Sequence, residues 1–128
     1  MRFLCLAYEE ERKLNELSQT EWHALRQEVL DYVETMQRSG RLILTLPLQS
    51  ATTASTLRVR EGKTLVTDGP FAETREQIGG FFLIEAADQQ EALRIASEWP
   101  SARLGTIEVR PIEEGLKLEQ RYGGPEVG

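Results

Sequence analysis

Between Val66 and Glu76 the chain sets an acid, a glycine, a proline and an aromatic ring side by side: Val66-Thr67-Asp68-Gly69-Pro70-Phe71-Ala72-Glu73-Thr74-Arg75-Glu76. Asp68 is placed to accept hydrogen bonds from backbone N–H groups two or three residues on, while Gly69 reaches unusual backbone angles and Pro70 fixes the next φ. A carboxylate in a concave site has a second use, as a general acid or base, and desolvation would then perturb its pKa. Arg58, Arg60 and Arg75 flank the stretch and suit the holding of an anionic group through charge-assisted hydrogen bonds. His23 is the sole histidine and Cys5 the sole cysteine. Cys5 lies in the apolar run Phe3-Leu4-Cys5-Leu6 and reads as a buried small hydrophobe rather than a nucleophile. His23 adjoins Trp22 on a helical stripe, where a partly exposed or satisfied histidine is the plainer reading.

Other chemistries lack their residues. One His, one Cys and scattered carboxylates give no metal-ligand spacing, so neither a tightly held metal nor any other cofactor is expected. Gly79 and Gly80 begin a strand instead of opening a helix, which leaves no phosphate-cradling loop. The Ser and Thr residues from Ser50 to Thr56 have no adjacent base and read as a polar loop. The acidic stretch Glu9 to Glu16 reads as a solvated face. Fifteen Lys and Arg against 21 Asp and Glu leave a charge of −6, with no basic block, which argues against direct nucleic-acid binding and anionic membranes. No run reaches the ~18 apolar residues of a membrane span, and Met1 to Tyr8 is too short for a signal-peptide h-region and runs directly into the charged segment Glu9 to Lys13, so export is not expected. A cytoplasmic protein is the expectation.

These residues must be positioned by short elements. Arg2 to Tyr8 is a nearly continuous apolar run, as in a strand flanked by others. Ser18 with Glu21 forms a capping box, after which Trp22, Leu25, Val29, Val33 and Met36 recur at steps of three and four until Ser39-Gly40. Leu42 to Leu46 is a second strand, closed by Pro47. Thr56 to Arg60 and Lys63 to Thr67, joined by Glu61-Gly62, form a hairpin. Thr74 with Gln77 offers one further helical turn before the strand Gly80 to Ala86. Asp88 and Glu91 cap a helix that runs to about Trp99, and Thr106 to Ile112 alternates as a final strand ending at Pro111.

The order is βα, then β with an inserted hairpin, then βαβ. This predicts an α+β, ferredoxin-like split-βαβ sandwich with both helices on one face of the sheet. The successive Phe81, Phe82 and Leu83 load both strand faces with apolar groups, so self-association into a homodimer with a cavity between the sheets follows as an expectation. One domain over residues 1–113 and a flexible tail over 114–128, with Gly123, Gly124, Pro125 and Gly128, complete the reading.

The stretch Asp68-Gly69-Pro70-Phe71-Ala72-Glu73-Thr74, with Arg58-Val59-Arg60-Glu61-Gly62-Lys63 before it and Gly79-Gly80-Phe81-Phe82-Leu83-Ile84 after it, closely resembles the DGPF-domain proteins, a branch of the YCII-related family. The resemblance runs from the first strand through Pro111. It implies a dimeric α/β barrel fold, and Asp68 corresponds to the family acid. The family histidine would fall near Val29, so His23 is nearly two turns early and only a substitute candidate. Relatives acting on small cyclic or chlorinated aromatic compounds suggest a small organic ligand. Others encoded beside, or fused to, sigma-factor domains suggest a sigma-factor association. Two functions follow: a small-molecule enzyme with Asp68 as acid or base and Arg58, Arg60, Phe71 and Arg75 around the ligand, or a non-catalytic ligand sensor.

Overall fold

The computed structural model describes residues 1–115, so from residue 116 onward the expected tail lies outside the described residues. Alternation along β1 (Arg2–Glu9) explains its central place: Phe3 and Cys5 are fully buried on one face, while Leu4, Leu6 and Tyr8 are partly covered on the other. β1 pairs antiparallel with β5 (Gln77–Glu85) on one side and β6 (Gly105–Pro111) on the other. β2 (Leu42–Pro47) adds beyond β5, which gives the four-stranded order β2-β5-β1-β6. Counted without the inserted hairpin, that is the order of two interlocked split βαβ units, the ferredoxin-like sandwich the sequence predicts.

Both long helices lie on the Phe3 and Cys5 face. α2 (Gln19–Arg38) starts in the expected capping box: Ser18 Oγ accepts the Glu21 N–H at 3.1 Å and the Glu21 carboxylate accepts the Ser18 N–H at 3.0 Å. Leu25 and Met36 are buried, and Val29 and Val33 pack against the core, but Trp22 is 46% exposed. The apolar stripe predicted Trp22 in the core. The first turn of the helix instead leaves its ring on the surface, in a cleft described below. α3 (Gln89–Ser97) is capped by Asp88, which accepts the Glu91 N–H at 2.8 Å, and buries Ala92, Ile95 and Ala96. Trp99 ends this segment before a 3-10 turn at Pro100–Leu104, stacking on Phe82 with ring centroids 3.9 Å apart and meeting Tyr32 edge-on at 5.7 Å. The Tyr32 hydroxyl donates to the Ile95 carbonyl at 2.8 Å, which joins the two helices, and burial pushes this phenol up to about 12.

Three local features depart from expectation. A short helix, α1 (Glu11–Asn15), forms in the connector read as solvated coil, and a 3-10 turn covers Ala51–Thr53. No helical turn forms between Thr74 and Gln77. The Gln77 side-chain amide donates to the Ala72 and Thr74 carbonyls instead, and Gln77 already belongs to β5. The hairpin of β3 (Ser55–Arg60) and β4 (Lys63–Asp68) is a separate two-stranded sheet, turned by Glu61 and Gly62 at φ 51° and 76° as a two-residue primed turn requires.

The sheet face away from the helices carries an apolar band. Residues directly opposite in an antiparallel pair share a face. The pairs Leu44 with Leu83, Leu46 with Phe81, Leu4 with Leu83 and Leu6 with Phe81 therefore set these side chains together, with the Glu108 and Arg110 ion pair at 2.8 Å on the β6 side. Leu44 and Leu46 remain 44% and 49% exposed. A bulge after Leu42 shifts β2 by one residue and brings Leu44 and Leu46 onto this face.

Candidate functional site

Asp68 is the last residue of β4, opposite Ser55, and is exposed. The turn after it is held without its side chain: the Gly69 N–H donates to the Ala54 carbonyl at 2.7 Å, and Thr56 Oγ1 donates to the Gly69 carbonyl at 2.8 Å. Gly69 has φ +105°, a value that favours glycine. Among the described residues nothing donates to the Asp68 carboxylate or pairs with it, so its turn-capping role is absent here. Phe71 is 80% exposed, and the Arg58 guanidinium lies 5.5 Å from the centre of its ring, a cation–π contact.

The register separates the remaining candidates. Arg58 and Arg60 share one face of the hairpin with Leu65 and Lys63, whereas Asp68 shares the other with Leu57, Val59 and Val66. Within one protomer, then, the ribbon itself stands between Asp68 and the two arginines. Arg75 lines a cleft of about 440 Å³ with Glu10, Glu11, Arg12, Glu73, Thr74 and Gln77, away from the hairpin. His23 is exposed on α2 and lines neither this cleft nor the one below. Of the sequence candidates, the structure brings Arg58 and Phe71 together. Cys5 is fully buried, and desolvation pushes its thiol up to about 12, as befits a packing residue.

A carboxylate that sequence reasoning assigned to a solvated face has a different place. Glu9 lines a cleft of about 550 Å³ with Glu11, Leu14, Asn15, Leu17, Gln19, Trp22, Leu48 and Ser50. The strand period foretold this position, because Phe3, Cys5, Ala7 and Glu9 fall on one face and that face is the helix side. A bulge in β5 makes room for it: Ala7 pairs with Gly80 and Tyr8 with Ile78, leaving Gly79 as the extra residue. The Glu9 side chain lies over the bare α-carbon of Gly79, where an added Cβ would come within 1.8 Å of Oε1. Glu11 is committed elsewhere, accepting from Ser50 Oγ at 2.8 Å and from the Ala51 N–H at 2.7 Å. Burial first, and the neighbouring Glu11 second, raise the Glu9 pKa from the ordinary carboxylate value.

The sign of that shift yields a prediction. An acid with a raised folded-state pKa costs no stability below its unfolded value and is destabilising once the pH exceeds its folded value. Glu9→Gln is therefore expected to raise the melting temperature at neutral pH and to leave it unchanged in acid, where wild type is protonated. A lower melting temperature for the variant at neutral pH would contradict the placement of this carboxyl.

A family model for the YCII-related domain matches residues 1–115. An uncharacterised protein of Rhizobium meliloti (strain 1021) is 36% identical over 114 residues, which span 88% of this chain and 92% of that one. Among solved structures, the 5-chloro-2-hydroxyhydroquinone dehydrochlorinase of Burkholderia phenoliruptrix AC1100, in complex with 2,5-dihydroxybenzoquinone, superposes with a TM-score of 0.53 over 90% of this chain and 96% of its own. At 17% identity the likeness is one of fold.

Proposed function

The chain belongs to the YCII-related family, and on that premise we propose that it binds a small organic molecule in a site completed by a second copy of itself, with Asp68 as general acid or base. The observation that carries this reading is the Asp68 carboxylate, without a partner among the described residues, beside Leu57, Val59 and Val66, all more than half exposed on the same hairpin face. An apolar ribbon face of that kind, like the open band of the main sheet, is what a homodimer would cover. The charge of Asp68 would then enter a drier setting in which proton transfer is useful. Arg58 over Phe71 supplies a ready seat for an aromatic or anionic ligand group, and pairing of copies would bring arginines from one hairpin toward the acid of another. The stretch Asp68-Gly69-Pro70-Phe71 supports placement in the DGPF branch. The dehydrochlorinase, whose named ligand is a small dihydroxy quinone, supports cyclic phenolic and quinonoid compounds as the first class to try.

A thermal-shift screen of small phenols, quinones and aromatic acids against wild type and Asp68→Asn tests the proposal. Because the side chain caps no turn, both Asp68→Asn and Asp68→Ala are expected to keep the wild-type melting temperature, without the ~1 kcal/mol loss that cap removal brings. A ligand that stabilises wild type is expected to lose its effect, or its turnover, in Asp68→Asn. Equal stabilisation of both proteins would end the acid–base reading and leave the non-catalytic one, a ligand sensor in association with a sigma factor.

A further inference from the structure

We propose that the cleft bounded by Glu9, α1, the start of α2 and the segment Leu48–Ser50 is a second ligand site, shaped for a small organic cation with a flat apolar body. One part of its wall is apolar and open to solvent. Leu14 and Leu17 line it, Trp22 is 46% exposed and Leu48 is 50% exposed, so an aromatic ring and a leucine face solvent in a concavity of about 550 Å³. That volume suits a fragment-sized ligand.

The polar groups select the sign of the ligand. Glu9 takes no hydrogen bond and no ion pair from any described residue, while Glu11, the other charged lining group, already holds Ser50 and Ala51. Asn15, Gln19 and Ser50 are neutral. A half-buried carboxylate beside a second one is stabilised by a cation and opposed by an anion, and its raised pKa fits that environment. An indole face is the preferred aromatic partner of an ammonium group. The net charge of −6 attracts cations at long range as well.

The site is also preorganised. Gly79 leaves the space into which Glu9 folds, and the segment just after β2 is tied there by the Leu48 N–H donating to the Gly79 carbonyl at 2.8 Å. Glu9 lies on the helix side of the sheet, in phase with Phe3 and Cys5, so pairing of two copies through the opposite face would leave this cleft open. The site is thus independent of the Asp68 reading and stands or falls separately.

Calorimetric titration at neutral pH with phenethylamine, its neutral analogue 2-phenylethanol and the anion phenylacetate decides the matter. Phenethylamine is expected to bind, and Glu9→Gln, which keeps shape and removes charge, is expected to weaken it by about tenfold or more, the loss of one charge-assisted contact. Gly79→Ala keeps the carboxylate but pushes it aside, so it should weaken binding as well, as should Trp22→Ala. Circular dichroism confirms the fold of each variant. Binding of 2-phenylethanol or phenylacetate as tight as that of phenethylamine, an unchanged affinity in Glu9→Gln, or no heat from phenethylamine at millimolar concentration would overturn the proposal.

Discussion

Phe82→Ala is expected to destabilise the protein by about 3–5 kcal/mol, the range for removing a fully enclosed aromatic ring from a core. Phe82 is 1% exposed and stacks on Trp99 within 3° of parallel at 3.9 Å, and Trp99 in turn meets Tyr32. This aromatic column joins β5, the end of α3 and the middle of α2, so truncating it leaves a void bounded by three elements that cannot all collapse. Against a total stability of about 5–15 kcal/mol, such a variant would be marginal. Urea unfolding followed by circular dichroism measures the cost. A loss below about 1 kcal/mol would mean that the column does not hold the helices to the sheet.

The neighbouring residue should respond in another way. Phe81→Asp is expected to leave the monomer folded and to abolish the proposed homodimer, because Phe81 lies on the opposite face of β5, in register with Leu6 and Leu46 and away from the helices. In a two-fold interface each substitution enters twice, setting two carboxylates into one apolar band at a cost that an interface of ~1,600 Å² cannot absorb. Light scattering at micromolar concentration should show a dimer for wild type and a monomer for Phe81→Asp, with unchanged secondary structure. A monomeric wild type removes the basis for a site completed by a second copy. A dimeric Phe81→Asp variant would move the interface off this band.

One residue apart, then, two phenylalanines divide between core and surface, as the period-two alternation of a strand requires. The same alternation sets Glu9 on the helix side with Phe3 and Cys5, yet three successive acids after an apolar strand have the composition of a solvated stretch. Period and composition disagree at Glu9, and period prevails because β1 continues through that residue. For Trp22 the period itself misleads: a stripe of three and four steps holds along the whole helix, but it cannot tell where the underlying sheet stops. Trp22 belongs to the first turn, which finds no core beneath it. The Thr74 to Gln77 segment departs for a local reason, since the Gln77 amide satisfies loop carbonyls and releases its backbone to β5.

Apart from the short α1, the order of the main elements, the capping box at Ser18 and Glu21, the Asp88 cap, the Glu61-Gly62 turn and the ferredoxin-like order of strands were legible in the chain, because each depends on contacts between residues near one another or on a period that repeats over one element. Asp68, Gly69, Pro70 and Phe71 were legible as a motif. Their arrangement was not. That Asp68 faces away from Arg58 and Arg60, that Gly69 and Thr56 hold the turn so that the carboxylate stays free, and that Gly79 opens a place for Glu9 beside Trp22 were decided by strand register and by one bulge in β5. The hairpin register follows from its two-residue turn once β4 runs on through Asp68, whereas the β1–β5 register is set between segments far apart in sequence, where a shift of one residue exchanges the two faces of a strand and no local pattern announces the bulge at Gly79.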